Sequence, residues 1–273
     1  MTIHLVPGLC SVTLRAHEPA QVVAAAAAAG LEVIEWGGDV HVPVGDEARA
    51  REVRARTEDA GLGVCSYGSY YGRVAASGDD AGSGDSAAGR DSAASGDFGA
   101  VLATAVALGA PRIRVWAGQQ GSAQSTPSTR AGVVEQLRAA VDRAGSAGIE
   151  VATEYHPNTL TDTAASTRAL LDEVGPGLTT YWQPPVGTPD GESLATLHAV
   201  LEHMVTVHVF SWWPGRERLS LEARADLWRQ VCELVAADAR RPTIPMLLEF
   251  VQDDEPSAVL RDASTLRDLI DAI

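Results

Sequence analysis

A short apolar run followed by a helical run recurs eight times along the chain, and few architectures accept that rhythm. "IHLVPGLC", "LEVIEWGG", "LGVCSYGS", "RIRVWAG", "IEVATEYH", "LTTYWQPP", "MVTVHVFSWW" and "TIPMLLEFV" read as strands. Each is followed by a stretch with helical spacing, several closed by glycine. Strands that alternate with helices must lie parallel, because each helix carries the chain back to the same end of the sheet. Eight such units in 273 residues match a closed barrel, which commonly takes about 250 residues. A doubly wound open sheet usually has fewer strands, and no glycine fingerprint follows the first strand here. The expected fold is α/β, a (β/α)8 TIM barrel, with residues 1–273 as a single domain.

One segment breaks the rhythm. Residues 74–97 are almost wholly Ala, Gly, Ser and Asp, with too little apolar surface to offset the entropy of ordering them. This low-complexity loop follows the third strand. It is read either as a disordered surface loop or as a lid over the barrel's C-terminal face. The formal net charge of −15 repels phosphate backbones and anionic membranes, so neither nucleic acid nor membrane is an expected partner. The three cysteines are scattered without a CxxC pair, which suits reduced thiols. With no apolar leader at the N-terminus, the expected location is cytoplasmic, and the expected partner is a small molecule. A homo-oligomer is left open.

Strand alternation separates helix-facing from barrel-facing side chains. Ile113 and Val115 face out, so Arg114 and Trp116 face in. Val151 and Tyr155 face out, so Ala152, Glu154 and His156 face in. Trp182 faces out and Gln183 in. Val205, Val207 and Val209 face out, leaving Thr206, His208, Phe210 and Trp212 inside. Leu248 and Phe250 face out, with Leu247, Glu249 and Val251 inside. Ile34 faces out and Glu35 in, which turns Trp36 outward. The inward polar set is Glu35, Arg114, Glu154, Gln183, His208 and Glu249. Barrel interiors are normally branched and apolar, and an unpaired buried charge costs several kcal/mol. Charges at one level on different strands must therefore neutralise one another or hold a cation. Glu35 with Arg114 can be a rim ion pair. Glu154, Gln183, His208 and Glu249 offer two carboxylates, an imidazole and an amide oxygen. That donor set suits Mn²⁺ first, with Mg²⁺, Co²⁺ or Zn²⁺ as alternatives. His41 and His156 either cap loops or touch a ligand, and the tryptophans either pack or wall a pocket.

At these residues the chain resembles the xylose isomerase-like TIM barrels, the group of sugar phosphate isomerases and epimerases. "GLEVIEWGGDVHVP", "ALGAPRIRVWAG", "IEVATEYHPNTLTDT", "VHVFSW" and "LLEF" carry the resemblance, which runs along essentially the whole chain. It implies a divalent ion held by Glu154, His208 and Glu249, with the family's Asp position falling on Gln183. The amide carries no charge, so weaker metal binding, or none, is implied as well. It further implies isomerisation or epimerisation of a ketose or related polyol ketone through an enediolate, with Glu154 and Glu249 as the acid/base pair. Arg114, His156, Arg216 and His41 are then candidate substrate contacts, with Trp36 and Trp116 shielding the site from water. Dehydration of a polyol ketone, and non-catalytic sugar binding at a degenerate metal site, are the alternatives. DNA repair on this fold uses several zinc ions and many histidines; the acidic charge and few inward histidines argue against it.

Overall fold

The computed structural model describes residues 3–73, 96–237 and 241–273. The Ala/Gly/Ser/Asp-rich segment lies outside them except for Gly96 and Asp97, and Asp97 caps the helix that follows. Eight parallel strands close into a barrel: β1 (His4–Cys10), β2 (Val33–Gly37), β3 (Gly63–Gly68), β4 (Arg112–Val115), β5 (Glu150–Thr153), β6 (Leu178–Trp182), β7 (Met204–Val209) and β10 (Thr243–Leu248). β8 (Ser211–Trp212) and β9 (Arg218–Leu219) form a small antiparallel hairpin at the mouth, beyond β7. Helices α1 (Pro19–Ala28), α2 (Glu47–Asp59), α3 (Phe98–Leu108), α4 (Pro127–Gly145), α5 (Ala164–Val174), α6 (Asp190–Val200), α7 (Ala225–Ala237) and α8 (Pro256–Asp271) follow the barrel strands in turn. Among the described residues no helix is long and apolar enough to cross a membrane.

Local chemistry starts these helices where the chain needs them. Thr126 accepts from the backbone N–H of Thr129 and Pro127 opens α4, while Thr163 does the same for α5 through Ser166. Glu18 and Gln21 form a reciprocal capping box on α1. The apolar layer between strands and helices takes Leu9, Ile34, Trp36, Ile113, Val115, Val151, Tyr155, Trp182, Val207, Val209 and Leu248, as strand alternation requires.

Three expected orientations differ. Val205 sits where the β6–β7 register shifts and packs on Ala152 and Tyr181 inside the barrel instead of on the helices. A bulge inserts one residue and so resets the alternation. Phe250 lies beyond the end of β10 with φ 46°. Its ring turns back against the interior cluster of Cys10, Val12, Cys65 and Leu247, and Val251 joins the helix layer in its place.

The interior is layered. At the N-terminal end, Arg112 donates to Glu150 at 2.8 Å and to Thr206 at 3.0 Å, and Arg241 donates to Glu150 at 2.8 Å. Apolar side chains of Val33, Cys65, Ala152, Tyr181 and Leu247 fill the middle. Gly8 lies between Val33 and Leu247. A Cβ there would stand 2.6 Å from both side chains and 2.7 Å from the Val33 carbonyl oxygen. Gly8→Ala should therefore cost about 1–3 kcal/mol by overpacking, read as a lower urea midpoint with an unchanged m-value.

The Glu150 triad adds a pH signature. Burial raises the Glu150 carboxyl, but Arg112 and Arg241 outweigh it and hold it below the usual 4.5. A depressed folded value means stabilisation that is complete above pH 4.5 and lost as pH falls through the folded value. Glu150→Gln should lose on the order of 1 kcal/mol at pH 7. The gap from wild type should close in acid, checked by denaturation at a series of pH values.

Candidate active site

Above the apolar layer the barrel becomes ionic. β2 contributes Glu35 and β4 contributes Arg114, both buried. Glu35 Oε1 accepts from Arg114 Nε at 3.0 Å and from the Cys10 thiol at 3.4 Å, while Oε2 accepts from Ser66 at 2.7 Å. Arg114 Nη1 also donates to Glu154 Oε2. One guanidinium thus bridges two carboxylates across the cylinder. Gly68 leaves the room for it, since a Cβ there would meet Arg114 Nη2 at 2.6 Å and Glu35 Oε1 at 3.0 Å.

The other half of the site is built around His208 on β7. Its Nδ1 lies 3.1 Å from Glu249 Oε2, 3.3 Å from Gln183 Oε1 and 3.7 Å from Glu154 Oε1. The four residues expected to converge do so, arriving from the ends of β5, β6, β7 and β10 with 8% exposure or less. On the far side of the ring, Nε2 is buried without a hydrogen-bond partner among the described residues, 3.6 Å from Glu35 Oε1. The Tyr181 ring meets the imidazole edge-on at 5.2 Å.

The electrostatics follow from that crowding. Burial raises the Glu154 carboxyl, but the Arg114 charge and the His208 contact outweigh it and bring it to about 2. Burial lowers the His208 imidazole, yet Glu249, Glu154 and Glu35 together push it well above its usual value. Three carboxylates face one guanidinium, so two negative charges stay uncompensated when the imidazole is neutral. A divalent cation would supply the missing charge. Bond lengths of about 2.0–2.1 Å set neighbouring ligand atoms about 3 Å apart, close to the spacings of the oxygens around Nδ1. The donor set of oxygens and one imidazole suits such an ion. Cys10, His208 and Glu249 also bring ligand atoms within 4.8 Å of one another, so the Cys10 thiol is a further donor beside the imidazole.

The rim holds a second group. The Trp116 ring carries the Arg73 guanidinium at 4.4 Å, stacks near Tyr70 at 5.9 Å and meets His156 edge-on at 4.7 Å. Its indole N–H is buried without a partner among the described residues. Asp39, Arg15 and Tyr70 form a hydrogen-bonded cluster from the loops after β1, β2 and β3.

Other expected contacts lie elsewhere. Trp36 points into the helix layer and donates to Thr57 of α2 at 3.2 Å. His41 is buried and satisfied by Ser11 and by the His17 carbonyl, each at 3.0 Å. Arg216 is exposed in the β8–β9 hairpin, whereas its neighbour Arg218 folds over Trp212 and Phe250. Cys10 and Ser66, which the alternation argument does not name, join the site through Glu35. Alternation along "HLVPGLC" could have found Cys10, since Leu5 and Leu9 face the helices.

A closed eight-stranded barrel with a carboxylate–imidazole cluster at the C-terminal ends of its strands defines an α/β-barrel protein with a candidate metal-dependent active site. The family model for xylose isomerase-like TIM barrels matches residues 23–184, more than half of the chain, and the protein belongs to that family. A 3-dehydroshikimate dehydratase of Bacillus anthracis is 43% identical over 63 residues, 23% of this chain and 22% of that one. The match thus spans about a fifth of that curated relative's length. Among solved structures, the probable 3-DHS dehydratase of Bacillus anthracis superposes with TM-score 0.67 at 20% identity, covering 96% of this chain and 99% of the other. An L-ribulose 3-epimerase gives 0.67 at 15%, covering 98% and 95%. A Mycobacterium smegmatis xylose isomerase-like TIM barrel protein, in complex with magnesium, gives 0.66 at 16%, covering 98% and 97%. At these identities the likeness is one of fold.

The buried thiols give a direct check on the interior. Burial pushes Cys10 well above its usual value and raises Cys65 and Cys232 to about 12. All three are buried and unpaired. Thiol reagents at pH 8 should modify none of them in the folded protein and all of them after unfolding, counted by mass spectrometry.

Proposed function

We propose that the protein transfers a proton beside the carbonyl of a ketose or related polyol ketone, as an isomerase or epimerase. The observation that carries this reading is the convergence of Glu249, Gln183 and Glu154 oxygens on Nδ1 of His208. A divalent ion held by those four side chains would polarise the substrate's carbonyl and neighbouring hydroxyl oxygens. Glu154 and Glu249 reach the site from β5 and β10, on either side of β7. One takes the proton from carbon and the other returns it, to the opposite face for epimerisation. Arg114 binds Oε2 of Glu154 and so holds that carboxylate in one orientation. Trp116, with Tyr70 and His156 against it, walls the mouth and excludes water from the reacting carbon.

Dehydration of a polyol ketone is the second reading, favoured by the 63-residue stretch shared with the 3-dehydroshikimate dehydratase. Both reactions begin with removal of a proton next to a carbonyl.

Deuterium wash-in from D₂O across a panel of ketoses, with Mn²⁺ added, tests the first reading. Exchange should fall about 10²–10⁴-fold in Glu154→Gln and in Glu249→Gln while circular dichroism is unchanged. If either variant keeps most of its exchange, the acid/base assignment is wrong. Water loss from 3-dehydroshikimate without exchange into any ketose would replace the first reading by the second. Neither reaction, with sugar binding retained, would leave a non-catalytic barrel.

A further inference from the structure

We propose that Glu35 is the positioning residue of this site: its carboxylate behind the ring sets His208 with the proton on Nε2 and Nδ1 turned to the ion, and supplies negative charge that Gln183 does not. The inference rests on the metal reading above and concerns a residue outside the four converging side chains.

Three observations carry it. First, His208 has two unlike surroundings. Nδ1 faces oxygens of Glu249, Gln183 and Glu154, whereas Nε2 is buried with no hydrogen-bond partner among the described residues and has Glu35 Oε1 at 3.6 Å. That separation is too long for a hydrogen bond. With an ion among the oxygens around Nδ1, that nitrogen gives its lone pair to the ion, so the imidazole proton is left to Nε2, where a carboxylate at this range favours it. A histidine binding an ion through one nitrogen typically offers the other N–H to such a group, which fixes the tautomer and strengthens the ligand. Second, Glu35 is itself held. Ser66 fixes Oε2 at 2.7 Å, and Arg114 at 3.0 Å and Cys10 at 3.4 Å approach Oε1, the oxygen that faces His208. Third, the charges do not close as a simple ion pair. Arg114 is shared between Glu35 and Glu154, so the two carboxylates exceed the one guanidinium. A fully buried excess charge needs a further partner, and the imidazole N–H on one carboxylate with a cation on the other supplies it.

The competing account makes Glu35 only an anchor for Arg114. Mn²⁺ titration by calorimetry on wild type, Glu35→Gln and Arg114→Met separates the two. Glu35→Gln keeps the shape and loses the charge, and its affinity should fall about 10–100-fold. Arg114→Met loosens the hold on Glu154 but removes a competing cation from the site, so its affinity should fall less than that of Glu35→Gln, hold or rise. Equal weakening in both variants would overturn the proposal in favour of the anchor. Wild-type binding with Glu35→Gln unchanged would overturn the proposal alone and leave the metal reading standing. No binding by wild type would overturn the metal reading and this inference with it. A measurement on wild type avoids any folding defect in the variants. Nitrogen-15 shifts of the Zn²⁺-loaded protein should show His208 protonated on Nε2 and ion-bound through Nδ1. The reverse assignment would overturn the proposal.

Discussion

The bridge from Glu35 through Arg114 to Glu154 is the interaction on which the upper barrel depends. Taking an ion from water into a protein interior costs several kcal/mol even after relaxation. Here a guanidinium and two carboxylates are removed from water together, each with 5% exposure or less. Arg114 presents its donors as a planar fork, so Nε can serve Glu35 while Nη1 serves Glu154. A lysine ammonium has no such geometry, and the chain contains no lysine at all. The space for the fork comes from Gly68, and the orientation of Glu35 from Ser66. Strands β2, β3, β4 and β5 are thereby tied at one height, independently of the helices outside them.

That height explains the layering. Residues two apart on a barrel strand point to the same side, so β4 delivers Arg112 to the lower end and Arg114 to the mouth. Each cation meets acids from other strands at its own level. Between them lie Tyr181, Ala152, Leu247, Val33 and Cys65, which separate the two ionic layers by an apolar floor. The floor gives the site its depth. Charges above it interact through a poorly polarisable medium, where a preorganised dipole or ion acts more strongly on a reacting group than it does in water.

Most of this was legible from alternation, and its failures have physical reasons. Arg114, Glu154, Gln183 and His208 were placed by the apolar partners beside them, and they converge because strand ends in a closed barrel share one mouth. Val205 escaped because a bulge adds a residue to one strand only, which leaves no mark in the pattern. Phe250 escaped because alternation ends with the strand, and its backbone is left-handed. Trp36 suits a pocket wall by residue type alone, whereas alternation turns it toward the helices. Cys10 is the opposite case: its type fits a buried thiol anywhere in the fold, and only its parity on β1 places it inside the barrel. Arg15, Asp39 and Tyr70 come from separate loops, whose meeting depends on tertiary structure that no local spacing encodes.

Gln183 sets both the charge and the donor geometry of the site. A carboxylate at that position would stand next to Glu249 and Glu154 around one nitrogen, and the site would carry three uncompensated negative charges instead of two with the imidazole neutral. The amide keeps an oxygen donor 3.3 Å from Nδ1 while it removes that repulsion. The remaining charge matches a divalent ion, with less excess attraction to hold it. Under the proposed function, an ion held in this way depends more on the groups behind its ligands than it would in a fully acidic site. Glu35 behind His208, held by Arg114 and Cys10, then bears on ion affinity as directly as the choice of ligands does.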